Sequence, residues 1–314
     1  MAIFIQAAEI VAPVFILVFA GLLLQRTGVI DAHFNTVASR LVFTITLPAL
    51  LFTKISTTRM QEMFNGRQIL FAWSFILVSF ALSWLAGIWL VRSGRDRGAF
   101  IQGAFRGNFA ILGFAMLNSA YGPQVLPLAA VVLAAIMPPY NILAVLALSL
   151  TQKTERRISR RTVARQILTN PLILAAVVAV PFSLLQLQLP KMLLESINYL
   201  STLTLPLALL GIGGTLSFKG LAADLRPALQ AGVIKIVLIP LITIAAAIAL
   251  GFRGPELGVL FFFFASPTAI ASYAMAEAMG SNARLAGHII LVTTLGSIFT
   301  IATGIILLKW LGVF

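Results

Sequence analysis

Apolar runs of roughly 20 residues, parted by charges and by Gly/Pro clusters, recur along the whole length of this chain. A hydrocarbon layer about 30 Å thick needs roughly 20 apolar residues per crossing helix, so each run is a candidate membrane span. Division at the charges and at the Gly/Pro clusters gives ten, over 8–24, 34–53, 69–91, 99–119, 125–150, 169–187, 193–216, 228–250, 255–278 and 284–308. Composition agrees: 60% of the 314 residues are apolar and 10% are charged. Soluble domains carry about 25% charged residues, so a water-soluble enzyme is excluded. The first run resembles a signal peptide in length, but no Lys or Arg precedes it and Glu9 stands at its start, so we read a retained helix. The expected fold is an all-α, multi-pass integral membrane protein of ten transmembrane helices.

The net charge of +13 would suggest nucleic acid in a polar protein. Here the basic residues lie between apolar runs, where they set membrane orientation instead, and no nucleic-acid partner is expected. Alternate loops collect fourteen and six Lys and Arg, the fourteen including the segment TQKTERRISRRTVAR at 151–165. Excess positive charge stays in the cytoplasm, so both termini are expected to be extracytoplasmic and the basic segment a cytoplasmic linker. That segment reads as a solvated topology determinant, with binding of anionic membrane lipid as the alternative. With no cysteine and two histidines, His33 and His288, the chain has neither a thiol site nor a His-rich metal site. No cofactor and no metal is expected.

An offset of 158 residues recurs along the chain. It pairs Pro13 with Pro171, TLPALL at 46–51 with TLPLAL at 204–209, Arg95 with Arg253, and the AYG ending at Gly122 with the AMG ending at Gly280. The chain therefore divides into a first five-helix repeat over 1–150, a basic linker over 151–166 and a second repeat over 167–314. Five spans per repeat is an odd number, so the second repeat enters the membrane from the opposite side. Inverted repeats are a common plan of secondary transporters and support alternating access.

Polar and helix-breaking residues fall within two spans related by the offset. Span 4 reads FRGNFAILGFAMLNSAYG, with Gly107, Asn108 and Gly113 weakening the helix; span 9 reads FFFFASPTAIASYAMAEAMG, with Ser266, Pro267, Thr268 and Ser272 at related depths. Pro267 has no N–H and disrupts the bond to residue 263, so this helix is expected to kink or break. An ordinary proline kink competes with a functional crossover of helices 4 and 9, and the symmetric placement favours the crossover. Arg106 and Lys235 fall roughly 12–14 Å deep by helical rise, where an unpaired charge costs about 2.5–3.5 kcal/mol. They either serve an anionic substrate or snorkel to the interface. Among the acidic residues only Glu277 falls near a span interior, and an exposed position beside Gly280 is expected. A cation/proton antiporter wants a buried carboxylate; buried positive charge and half-helix N-termini suit an anion. GIGG at 211–214 reads as close helix contact, and MPPYN at 137–141 as a kink, with Asn141 as a possible substrate contact. No HExxH, G-x-S-x-G or P-loop occurs, so enzyme chemistry and catalytic residues are not expected.

FRGNFAILGFAMLNSAYG, together with SPTAIASYAMAEAMGSNARLAGHIILVTT, resembles the auxin efflux carrier family. The TLP segments and KIVLIP at 235–240 extend the resemblance over essentially the whole chain. It implies a scaffold of spans 1, 2, 6 and 7 that carries a homodimer contact, and a transport domain of spans 3–5 and 8–10 with crossed helices 4 and 9. It also implies movement of small organic anions, such as malate, malonate or an auxin-like acid, with Asn108 in the place of the crossover asparagine. Plant members carry crossover prolines where this chain has Ala115 and Ser272, and a long central loop that is short here, so a bacterial short-loop carrier in the cell inner membrane is expected. The substrate-binding set is then Arg106, Asn108, Gly113, Asn141, Lys235, Ser266, Pro267, Thr268 and Ser272. Two other readings stand beside it: a sodium-coupled organic anion symporter resembling the bile-acid transporter fold, and a non-transporting membrane sensor.

Overall fold

The computed structural model describes residues 2–59, 63–151 and 168–314. Among these the chain is helical, with no extended strand. Its helices are α1 Ala2–Arg26, α2 Ala32–Leu41, α3 Leu47–Ser56, α4 Gly66–Leu90, α5 Gly94–Phe105, α6 Phe114–Tyr121 and α7 Leu126–Ser149. They continue as α8 Pro171–Leu184, α9 Lys191–Thr215, α10 Leu221–Val233, α11 Ile239–Ala249, α12 Gly254–Ala265, α13 Ala271–Ala278 and α14 Ala283–Trp310. Turns of π-helix at Val42–Thr46 and Ile234–Leu238 join α2 to α3 and α10 to α11 without interruption. The expected linker, 151–166, lies outside the described residues except for Thr151.

Side-chain caps set several of the starts. Asp31 accepts from Phe34 N at 2.6 Å, Asn65 from Gln68 N at 3.0 Å, Asn170 from Leu172 N at 2.9 Å and Asn282 from Leu285 N at 3.0 Å. Each satisfies a donor that the first helical turn leaves free. Seven stretches are long and apolar enough to cross a membrane: Ile3–Arg26, Ala32–Ser56, Gly66–Leu90, Pro123–Ser149, Lys191–Thr215, Leu221–Ala249 and Ala283–Trp310. Ile16, Leu77, Leu241 and Phe299 are exposed on their outer faces, as helices set in hydrocarbon require. Three apolar helical stretches are shorter: Phe109–Tyr121, Pro171–Leu184 and Gly254–Ala265. The run read as span 6, 169–187, holds a helix of 14 residues, about 21 Å at helical rise. Asn170 and Pro171 set its start, and Pro181, with no N–H to give, stands in its last turn.

Two groups of helices position the centre of the molecule. In one, α1 packs on α9 and α8 packs on α3. Gly21 lies against the carbonyl of Leu210, and Gly213 against the carbonyl of Val18, so the α1 and α9 backbones touch where a Cβ would have no room. The GIGG segment thus provides the close approach expected of it. Asn35 seals the end of this contact, donating to Gly214 O at 2.9 Å and to Gln25 Oε1 at 2.8 Å. In the other group, α4, α5 and α7 pack together, α10 and α13 each pack on α14, and α5 meets α14.

Candidate functional site

The helix that begins at Gly94 stops at Phe105, and Arg106, Gly107 and Asn108 leave it before a π-helical turn, Phe109–Gly113, leads into α6. The helix that begins at Gly254 stops at Ala265. Pro267 forces the preceding Ser266 into extended backbone, φ −59° and ψ 142°. Each break would strand backbone donors and acceptors in an apolar interior, which is tolerated only where protein re-satisfies them. Here the two breaks satisfy each other: Asn108 N donates to Pro267 O at 2.7 Å and Ala269 N to Arg106 O at 2.9 Å, with Gly107 opposite Thr268 in an antiparallel bridge.

The flanking half-helices also run antiparallel. Beside the start of α5, Arg95 Nε donates to Gly280 O at 3.0 Å; beside the start of α12, Tyr121 Oη donates to Gly254 O at 3.2 Å. Gly122 and Gly280, at φ 76° and 74°, stop the second half-helices with a left-handed backbone open to glycine.

Side chains then lock the paired breaks. Thr268 Oγ1 donates to Gly103 O at 2.7 Å, Thr268 N donates to Thr293 Oγ1 at 3.1 Å, and Ser266 Oγ donates to Phe263 O at 2.7 Å. Gly107 N donates to the Tyr140 hydroxyl, which donates in turn to Phe105 O at 3.1 Å. Phe109 stacks between Tyr140 and Phe263, with centroids 4.6 and 5.3 Å away. Position 107 admits only glycine without rearrangement, because a Cβ there would lie 2.8 Å from Ser266 Oγ and 3.0 Å from Lys235 Nζ.

Both basic residues read from the sequence reach this centre and are buried. Lys235, in the π-helical turn after α10, donates from Nζ to Phe264 O at 2.8 Å, a carbonyl at the negative end of α12. The Phe109 ring centroid is 6.0 Å from the same Nζ. Arg106 donates through Nη2 to Asn141 Oδ1 at 2.9 Å and through Nη1 to the Met275 sulfur. Among the described residues no carboxylate forms an ion pair with either.

Of the other residues singled out, Ser266, Pro267, Thr268 and Asn108 form the breaks themselves. Asn141 joins them through Arg106. Ser272, in the first turn of α13, has a buried hydroxyl with no partner, and Asn108 Nδ2 is likewise buried and unpaired. Gly113 packs on the Phe263 ring, which a Cβ would approach to 2.9 Å, and its N–H closes the π turn on Asn108 O at 3.1 Å. Glu277 is exposed.

Sequence reasoning missed Tyr140, Met275 and Thr293. Tyr140 sits inside the MPPYN motif, where the polar Asn141 drew attention instead; nothing in the sequence pointed to Met275 or Thr293. It also missed Lys54, which lines a cavity of about 420 Å³ between α1, α3, α6 and α9 together with Ala115, Asn118, Ser201 and Thr202.

Paired helix breaks and buried basic residues in a multi-pass apolar chain mark a membrane transport protein. The chain belongs to the membrane transport protein family, the auxin efflux carriers, whose profile matches residues 6–305. It is 28% identical over 315 residues to a Rhizobium meliloti protein named "putative malonate transporter", with 96% of each chain covered. It is also 23% identical over 303 residues to an uncharacterized transporter of Methanothermobacter thermautotrophicus, covering 95% of this chain and 97% of that one.

Proposed function

We propose that the protein is a secondary transporter that moves a small organic anion across the plasma membrane by alternating access. The observation that carries this reading is the pair of buried basic side chains, Lys235 and Arg106, held at the two helix breaks with no carboxylate partner among the described residues. An anion arriving there supplies the missing opposite charge, and the unpaired amide of Asn108 and hydroxyl of Ser272 offer it hydrogen bonds. The cavity beside Lys54 is walled by α1, α3 and α9 on the side read as scaffold and by α6, which follows the first break, on the side read as moving.

The offset of 158 residues supports two five-helix repeats, 1–150 and 167–314, inverted about the linker 151–166. In this arrangement spans 1, 2, 6 and 7 are the scaffold and the remaining spans move against them. Thr46 and Thr204, related by the same offset, both keep buried hydroxyls without a partner, and both stand on the scaffold side. The name of the Rhizobium relative makes malonate the first substrate to try.

The test is uptake of labelled malonate by proteoliposomes, with and without a sodium gradient. A carrier saturates and shows counterflow. Equal counts in protein-free liposomes across a panel of mono- and dicarboxylates would leave the sensor reading standing, and strict dependence on Na⁺ would favour the symporter.

A further inference from the structure

The second histidine takes no part in the breaks, yet it is 3% exposed and held on both sides. His288, in the second turn of α14, has Nδ1 2.8 Å from Asp224 Oδ2 and Nε2 3.1 Å from the carbonyl oxygen of Lys219. A carbonyl oxygen only accepts, so Nε2 carries a hydrogen. A neutral imidazole has a single N–H, which leaves a lone pair on Nδ1 facing the carboxylate oxygen. That contact is attractive only if a further proton lies between the two. Arg284 Nε already donates to the same Asp224 Oδ2 at 2.9 Å, which favours the ionised carboxylate and places the proton on Nδ1.

The geometry points to a proton-binding site at His288 and Asp224, and we propose that its occupancy is coupled to movement of the anion. Asp224 stands at the start of α10, which continues without a break to Lys235; His288 stands on α14, which carries the Thr293 hydroxyl that accepts from Thr268 N. The protonated pair therefore ties together the two helices that support the breaks. When the proton leaves, one of the two contacts of His288 becomes lone pair against lone pair, and the tie weakens. Water reaches the pair along Arg284, whose side chain is 62% exposed.

The other charged groups on the helices packed about this end are engaged elsewhere or exposed. Arg95 and Asp96 on α5 bond Gly280 O and Asn282. Arg97 bonds the carbonyls of Val91 and Arg92. Lys235 bonds Phe264 O, and Arg226 on α10 and Glu277 on α13 are exposed. Asp224 is thus the group that answers to the proton on His288.

The coupling rests on the transport reading, whereas the proton site does not, and the experiment separates them. The chain has two histidines, so His33→Gln, at an exposed position, leaves one imidazole for nitrogen-15 NMR of the purified protein. If both contacts are made as described, the His288 signals should be those of an imidazolium with both nitrogens protonated, and Asp224→Asn should convert them to a neutral ring. A neutral ring in the otherwise native protein overturns the site. In proteoliposomes an acid-outside gradient should raise malonate uptake by the native chain several-fold. His288→Gln should keep counterflow and lose that response, and so should Asp224→Asn if the first variant does not fold. An unchanged response in either folded variant overturns the coupling. If the native chain moves no malonate, the coupling fails with the transport reading, and the NMR result still decides the proton site.

Discussion

The ammonium of Lys235 spends its single described hydrogen bond on a carbonyl at the end of a broken helix. A bound anion would strengthen the positive charge that this contact already favours. Charge-assisted hydrogen bonds contribute about 1.5–3 kcal/mol, so Lys235→Gln should weaken malonate binding by roughly 10- to 100-fold. Lys235→Arg should lose less, since it keeps charge while changing shape. Calorimetric titration in detergent across salt concentrations checks this; native affinity with native salt dependence in Lys235→Gln would reject the electrostatic role. Asn108 offers a cleaner case. Its backbone N–H holds the breaks together while its side-chain Nδ2 has no protein partner. Asn108→Ala should therefore abolish transport with little change in melting temperature, and unaltered uptake would remove it from the site. Asn108 was legible because a polar residue in a span between glycines is costly without a purpose. Tyr140 was not, because a tyrosine among apolar residues reads as packing until the carbonyl it meets, 35 residues away in sequence, is known.

At the scale of elements, what distinguishes this chain is how two interruptions cancel. A helix broken in hydrocarbon exposes polar backbone, and the cost is offset where other protein groups meet it, here the backbone of the second break together with Tyr140, Lys235 and Thr293. The α1–α9 contact shows the opposite device, in which unbroken helices approach until their backbones touch. A methyl group at Gly213 would collide with the carbonyl of Val18, whereas one at Gly211 meets nothing closer than Ser39 Oγ at 4.0 Å. Gly213→Ala should thus cost about 1–3 kcal/mol by overpacking, and Gly211→Ala should be near neutral. Thermal unfolding of the two variants in the same detergent tests the contrast; equal melting temperatures would mean that α1 and α9 are not pressed together as described. The GIGG motif announced close packing, but not which of its glycines bears the contact.

At the scale of the whole molecule the charge distribution carries a prediction about orientation. Fourteen basic residues on one set of loops against six on the other predict that both termini lie outside the cytoplasm. An alkaline phosphatase fusion at Phe314 should be active and a green fluorescent fusion dark. The reverse pattern would overturn the predicted orientation, in which ten crossings return the chain to the outer side it started from.

The sequence by itself determined where the apolar segments lie and where they are interrupted. The run read over 69–91 is the helix Gly66–Leu90, and the run over 284–308 is Ala283–Trp310. Pro267 announced the second break and Gly107 with Asn108 the first, because hydropathy, a missing N–H and a missing Cβ are properties of a residue and its near neighbours. Tertiary structure alone decided that the two breaks face each other and that Lys235 reaches the carbonyl of Phe264. It alone decided that His288 and Asp224, 64 residues apart, meet between two helices. Such contacts depend on the angle and rotation at which helices pack, and those are set by the shapes of whole faces rather than by any local pattern.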